Sequence, residues 1–215
     1  MRDLDPDFYA ALQAAPERGI VPRKLVTFTG WTWPDASGNV ETERMSFWTG
    51  DEDMLITVTS GINNLPSTRT FYGGVNLAVS PIPRVSSLTV QTVTIEMTAI
   101  APVVQELVRG LDLRLGQVEI WDALLDPDSR LLVGTPPLAW LGVVDGSPIN
   151  TESEGGDEVV EIKTVNDAMV MLTRSNPAKS SHEEQKKRLG PSGEVDDFGK
   201  YAGSVGSWRV PWGEK

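Results

Sequence analysis

The clearest alternation of apolar and polar positions runs from Ser87 to Leu132. Leu88, Val90, Val93, Ile95 and Met97 take one side, against Thr89, Gln91, Thr94, Glu96 and Thr98, with one phase slip at Gln91-Thr92. Period-two alternation rich in β-branched residues predicts a half-buried antiparallel strand, and the slip predicts a bulge or twist. A short apolar helix is expected around Pro102 to Gly110, followed by a second strand from Val118 to Leu124. Asp126-Pro-Asp-Ser129 has turn chemistry, because proline presets φ and Asp and Ser bond back to the backbone. Arg130 to Val133 is then expected to return as the hairpin partner of the second strand.

Asp5 to Ala15 predicts a short helix with Asp5 as N-cap, Pro6 in the first turn, Phe8, Leu12 and Ala15 on one face, and Pro16 and Gly19 as its end. So short a helix is marginal alone, so it packs on its own sheet or on a neighbouring subunit. Val21–Trp33 and Val40–Trp48 predict a hairpin with Trp31, Trp33, Phe47 and Trp48 stacked across it. Thr49-Gly-Asp-Glu-Asp53 is read as a solvated acidic turn, since it lacks the spaced oxygens of a calcium loop. Further strands are expected at Met54–Ser60, Arg69–Tyr72, Asn76–Val79, Leu138–Val144 (closed by an Asp145-Gly146 turn), Ile149–Thr151, Val159–Val165 and Ala168–Arg174. About ten strands against two or three short helices make the class mainly β.

Composition changes after this. A β-rich domain spanning 1–175 is followed by 176–215, a locally basic polar helix near Ser180 to Arg188 and then a Gly-rich extended arm. Phe198, Tyr201, Trp208 and Trp212 are scattered along that arm, which packs back on its own sheet or on a neighbour.

Charge and composition narrow the function classes. The 215 residues carry a net charge of −11, which argues against specific nucleic-acid binding, since that draws on cations to neutralise phosphates. There is no cysteine, which excludes disulfides, thiolate metal sites and cysteine nucleophiles. No apolar run is long enough to suggest a membrane span, and Met1-Arg-Asp-Leu-Asp-Pro-Asp7 does not read as a secretory signal. His182 is the only histidine and is expected to be exposed and idle, so a two-histidine metal site cannot form within one chain. No Gly-x-Ser-x-Gly elbow, P-loop or dinucleotide fingerprint occurs. A carboxylate pair drawn from Asp51, Glu96, Glu119 and Asp122 is the one catalytic arrangement left, with Glu96 and Glu119 expected on solvent faces. The expectation is no enzyme activity, no cofactor and no metal.

Three features together resemble a known family. They are the opening helix followed by the Leu25–Trp33 strand, and the block Gly116-Gln-Val-Glu-Ile-Trp-Asp122 with Pro127, Arg130-Leu-Leu and a later Gly142-x-Val strand. The third is the ending Ser175-Asn-Pro, Gln185-Lys-Lys-Arg188, Asp197-Phe-Gly-Lys-Tyr-Ala202 and Trp208-Arg-Val-Pro-Trp-Gly213. The chain resembles the baseplate hub and tail-tip proteins of long-tailed, siphovirus-like bacteriophages and of gene transfer agents. The resemblance implies an antiparallel β-barrel or sandwich of the tail-tube and hub type. It implies a structural virion protein at the tail tip, made in the host bacterial cytoplasm. Such a hub forms a ring, a trimer for preference, that surrounds the DNA channel. It joins the tail tube or distal tail protein to tip or fibre proteins. A hexameric distal tail protein is the nearest alternative. The iron–sulfur cluster that a lambda-like relative holds on cysteines does not carry over to a chain without cysteine. The expected subunit-interface residues are Phe8, Leu12, Phe198, Tyr201, Trp208 and Trp212. Two other classes remain open. One is a β-sandwich carbohydrate- or receptor-binding module presenting Trp31, Trp33 and Trp48 in a coplanar row. The other is a hydrolase working with acids alone.

Overall fold

The computed structural model describes residues 4–84, 89–146, 149–150, 158–167, 182–187, 189, 193–197, 199–201 and 204. The chain divides into two compact units, residues 1–171 and 172–215.

The first unit is built on one mixed, open sheet of eleven strands. Its strands are β1 (Val21–Thr32), β2 (Thr42–Trp48), β3 (Met54–Thr59), β4 (Pro66–Tyr72), β5 (Ala78–Val79), β6 (Thr92–Thr98), β7 (Leu111–Asp112), β8 (Gln117–Leu125), β9 (Leu138–Gly146), β10 (Ile149–Asn150) and β11 (Val159–Asn166). The spatial order is β3-β4-β2-β1-β8-β9-β11-β6-β5, with β7 added to β1 and β10 to β11. The predicted β1–β2 hairpin forms, with Leu25 opposite Trp48 and Phe28 opposite Met45. Most pairs are antiparallel, but β2 and β4 run parallel at Ser46–Phe71 and Phe47–Tyr72, so the expectation of a wholly antiparallel sheet is corrected.

Alternation along the strands sorts side chains onto two faces. Val26 and Phe28 of β1, Phe47 of β2, Val118 and Ile120 of β8, Val144 of β9, Ile162 of β11 and Ile95 of β6 share one apolar cluster. Strands from both halves of the sheet therefore bury side chains in a single core, so the sheet curls around it. Pro102–Gln105 (α2) and a wider turn over Glu106–Gly110 insert Val104 and Leu107 into the same core. On the opposite face of β1 and β8, Leu25, Trp121, Ala123 and Leu125 pack with Ile56, Val58 and Phe71 of the β3–β4 hairpin.

Several local expectations change. α1 runs Pro6–Arg18, past Pro16. A proline in the last turn forfeits one backbone bond, and the turn still closes because Gly19 N–H donates to the Ala15 carbonyl. The strand expected from Ser87 starts at Thr92, after the phase slip. Beyond it Asn166 holds the segment: its N–H donates to the Gln91 carbonyl, and its side chain accepts from Gln91 N–H and donates to the Thr89 carbonyl. Arg130–Val133 does return beside the end of β8, but shortened to a single bridge: Leu132 lies opposite Leu125, Asp126 N–H donates to the Leu131 carbonyl and Val133 N–H to the Leu124 carbonyl, while β9 takes the Gln117–Trp121 part of that edge. Asp145-Gly146 does not turn. Gly146 pairs with Lys163 past a register shift at Lys163/Thr164, and β9 continues through it. The stacked tryptophans do not form either. Trp31 faces Thr42 across the hairpin, and Phe47 and Trp48, being neighbours, fall on opposite faces. The strand expected at Ala168–Arg174 lies outside the described residues.

In the second unit, a short helix at His182–Gln185 and a bridge between Leu189 and Val195 are described. His182 is not idle at the surface: its side chain is 21% exposed, with Nε2 3.8 Å from the Asp197 carboxylate.

Candidate functional site

Two constellations stand out, and β8 supplies a carboxylate to each. Glu119 is fully buried, not on a solvent face. Its Oε2 accepts from Arg69 Nη1 at 2.7 Å, and its Oε1 accepts from Ser60 Oγ at 2.8 Å and Gly61 N–H at 2.6 Å. Arg69 lies over the Trp121 ring at 5.1 Å, and Trp121 Nε1 donates to the Thr59 carbonyl at 2.9 Å. Both ends of the acid are satisfied, so its charge is compensated where water cannot reach. The arrangement ties β4 and the loop after β3 to the centre of the sheet. Its sequence signal is the phase: Glu119 shares a strand face with Trp121 and Ala123, and Arg69 with Phe71, which are all buried.

Asp122 faces the other way, past the end of the main core. Its Oδ1 accepts from Lys24 Nζ at 2.5 Å, and its Oδ2 lies 3.4 Å from Arg84 Nη2. Lys24 is held in place by its backbone, whose N–H donates to Thr49 Oγ1 and whose carbonyl accepts from Thr49 N–H. Around this charged group opens a cavity of about 890 Å³, with Phe8, Leu12, Ile20, Val79 and Leu124 among its lining. A cavity of this size with an apolar wall and a few charged groups is the form binding sites take. Cations outnumber acids in that wall, because Arg23 joins Lys24 and Arg84 against Asp122. Arg23 Nη1 donates to the Pro22 carbonyl, while its Nε is buried with no hydrogen-bond partner.

The helix bounding this cavity is anchored at both ends. Asp5 caps it by accepting from Asp7 and Phe8 N–H. A backbone hydrogen bond from Thr135 is the main cause that lowers the Asp5 carboxyl below its usual range. At the far end Arg18 reaches Asp128 at 3.0 Å and Asp126 at 3.5 Å. Bonds from the Ser129 backbone are the main cause lowering Asp126. Gly134, at φ +62°, lets the loop approach the helix start, where an added Cβ would sit 2.6 Å from Asp5 Oδ1.

The expected interface residues divide accordingly. Phe8 is buried under its own helix, Leu12 is 39% exposed at the cavity, and Tyr201 is 59% exposed. Phe198, Trp208 and Trp212 lie outside the described residues. The tryptophan row needed for sugar binding does not form, since Trp48 is buried and donates to the Glu52 carbonyl while Trp33 is exposed. Nor do the four candidate acids gather. Asp51 lies in an exposed turn and Glu96 on an exposed position of β6, while Glu119 and Asp122 take opposite faces of β8. Among the described residues no three His, Cys, Asp or Glu side chains group as a metal site would require.

No family model and no curated protein matches the chain.

Proposed function

We propose that the chain is a structural virion protein of a phage tail tip, a baseplate hub whose work is assembly. Its ring, a trimer for preference, links the tail tube or distal tail protein to tip or fibre proteins and surrounds the DNA channel. The curled sheet is, in this reading, the barrel of the tail-tube and hub type, left open for its neighbours. The observation that carries the reading is the open sheet itself. Among the described residues its path ends at β3 and β5 without a closing pair, and Leu55 on β3 is 72% exposed. Unpaired edges bearing apolar side chains are a liability in a protein that stays alone and a template in one that assembles. The Gly-rich arm with Tyr201, Trp208 and Trp212 supplies aromatic area of the kind interfaces favour. A net charge of −11 suits a channel through which DNA slides without sticking.

The test is negative-stain imaging of the full chain beside a chain lacking residues 192–215. The full chain is expected to form rings with a central hole. The shortened chain is expected to keep its β-sheet circular dichroism and lose the rings. Rings that survive the deletion unchanged would remove the arm from assembly. Compact particles without a hole, with or without neighbouring tail proteins present, would overturn the hub reading.

A further inference from the structure

We propose that the cavity beside α1 is a docking groove for an extended segment of a neighbouring protein in which apolar residues alternate with carboxylates. The proposal deepens the assembly reading and rests on it for the source of that segment. Two observations select this occupant.

The first is a strand edge in the cavity wall that no described strand occupies. Among the described residues β5 is the last strand of the sheet and pairs only with β6, Ala78 opposite Glu96 and Val79 opposite Ile95. Ser80 N–H donates to the Thr94 carbonyl, so Ser80 and Ala78 turn their backbone groups toward β6. The antiparallel ladder alternates, and Val79 N–H and C=O therefore point away from β6. Val79 also lines the cavity. A polypeptide backbone can satisfy that donor and acceptor by adding a strand, whereas an amphiphile offers no matching ladder.

The second is charge. Lys24 and Arg84 both lie on Asp122, so one carboxylate answers two cations. In a chain of net charge −11, this is a local cationic surplus beside an apolar wall of Leu12, Ile20 and Leu124. An incoming carboxylate takes the free share of Lys24 and Arg84, while the alternate apolar side chains of the same strand settle against the wall.

The probe is the fluorescein-labelled peptide acetyl-(Val-Glu)4-amide, with acetyl-(Val-Lys)4-amide as the charge control and dodecanoate as the amphiphile control. Fluorescence anisotropy on the full chain should show saturable binding of the acidic peptide, weakened by salt, and none of the basic one. The double variant Lys24→Glu/Arg84→Glu should weaken binding at least tenfold. Val79→Pro removes an N–H that faces away from β6, which edge strands tolerate, and should weaken binding similarly; Val79→Ala, which loses the same packing against the core but keeps the N–H, should retain binding. Hydrogen exchange should slow at Val79 when the acidic peptide is bound. Equal binding of both peptides, or binding of neither, would overturn the proposal. So would dodecanoate binding that ignores Val79→Pro while the acidic peptide fails to bind, which would make the cavity an amphiphile site. Peptide binding is read on the isolated chain and ring formation by imaging. A ring-forming protein that ignores the peptide thus refutes the groove alone, and a peptide-binding chain that never assembles refutes the hub alone.

Discussion

Glu119 and Asp122 stand on the same strand, each bonded to a cation from another strand or loop, yet they do different work. Glu119 is fully enclosed, and its Arg69 partner has a side chain only 7% exposed. Asp122 is partly open, and its partners Lys24 and Arg84 are 36% and 70% exposed. In the first case the low dielectric makes each partner indispensable to the other. In the second, water and salt screen the attraction, so the pair adds little to folding and its cations stay available to a ligand. One turn of the pleat separates a fastening from an open binding surface.

Replacing Glu119 should break this contrast most severely. Glu119→Ala leaves Arg69 buried without a counter-charge and is expected to cost about 3–5 kcal/mol, read as a lower denaturant midpoint. The double variant Glu119→Leu/Arg69→Met should recover most of that loss, because no uncompensated charge remains. Failure of the double variant to recover would mean that the hydrogen bonds to Ser60 and Gly61, not the charge pairing, fasten the hairpin. Phe8→Ala empties a buried site beneath α1 and should cost about 3 kcal/mol. Its helix should then exchange amide hydrogens faster than the main core does. Asp122→Ala should change stability by less than about 1 kcal/mol, given the exposure of its partners. It should also tighten acidic-peptide binding, since Lys24 and Arg84 lose their competitor.

The smallest effect sharpens the comparison through pH. Asp5 and Asp126 both have carboxyls lowered in the folded chain, chiefly by backbone hydrogen bonds from Thr135 and Ser129. A lowered folded value means the unfolded state binds protons first as pH falls. Their contribution is therefore complete above the ordinary value of 3.8 and fades as pH drops through the lowered values. Hydrogen exchange at pH 3 should show α1 loosening before the main core. Simultaneous loosening of both would show that the anchors carry no local stability.

Local pattern made the β1–β2 hairpin, the Asp5 cap and the β class legible, because each depends on residues close in sequence. What failed depended on partners far away. β9 takes the Gln117–Trp121 part of the edge of β8 that faces away from β1, so the nearby Arg130–Val133 pairs only with its last residues, as the Leu125–Leu132 bridge. The sequence points Glu119 at solvent because a lone acid in a strand ordinarily faces water. The hairpin that covers it comes from Met54–Tyr72, and only Trp121 in the same phase hinted that this face was covered too. The cavity had no sequence signature at all, since Leu12, Lys24, Val79, Arg84 and Asp122 converge from separate elements.

The measurement that bears most directly on the proposed ring-forming tail-tip role is the molar mass of the purified chain by light scattering, alone and mixed with the tail proteins proposed as its neighbours. Three copies of the 23.4 kDa chain are expected, and six would shift the assignment to the distal tail protein. A chain that stays monomeric at every concentration, with those neighbours present, would contradict it.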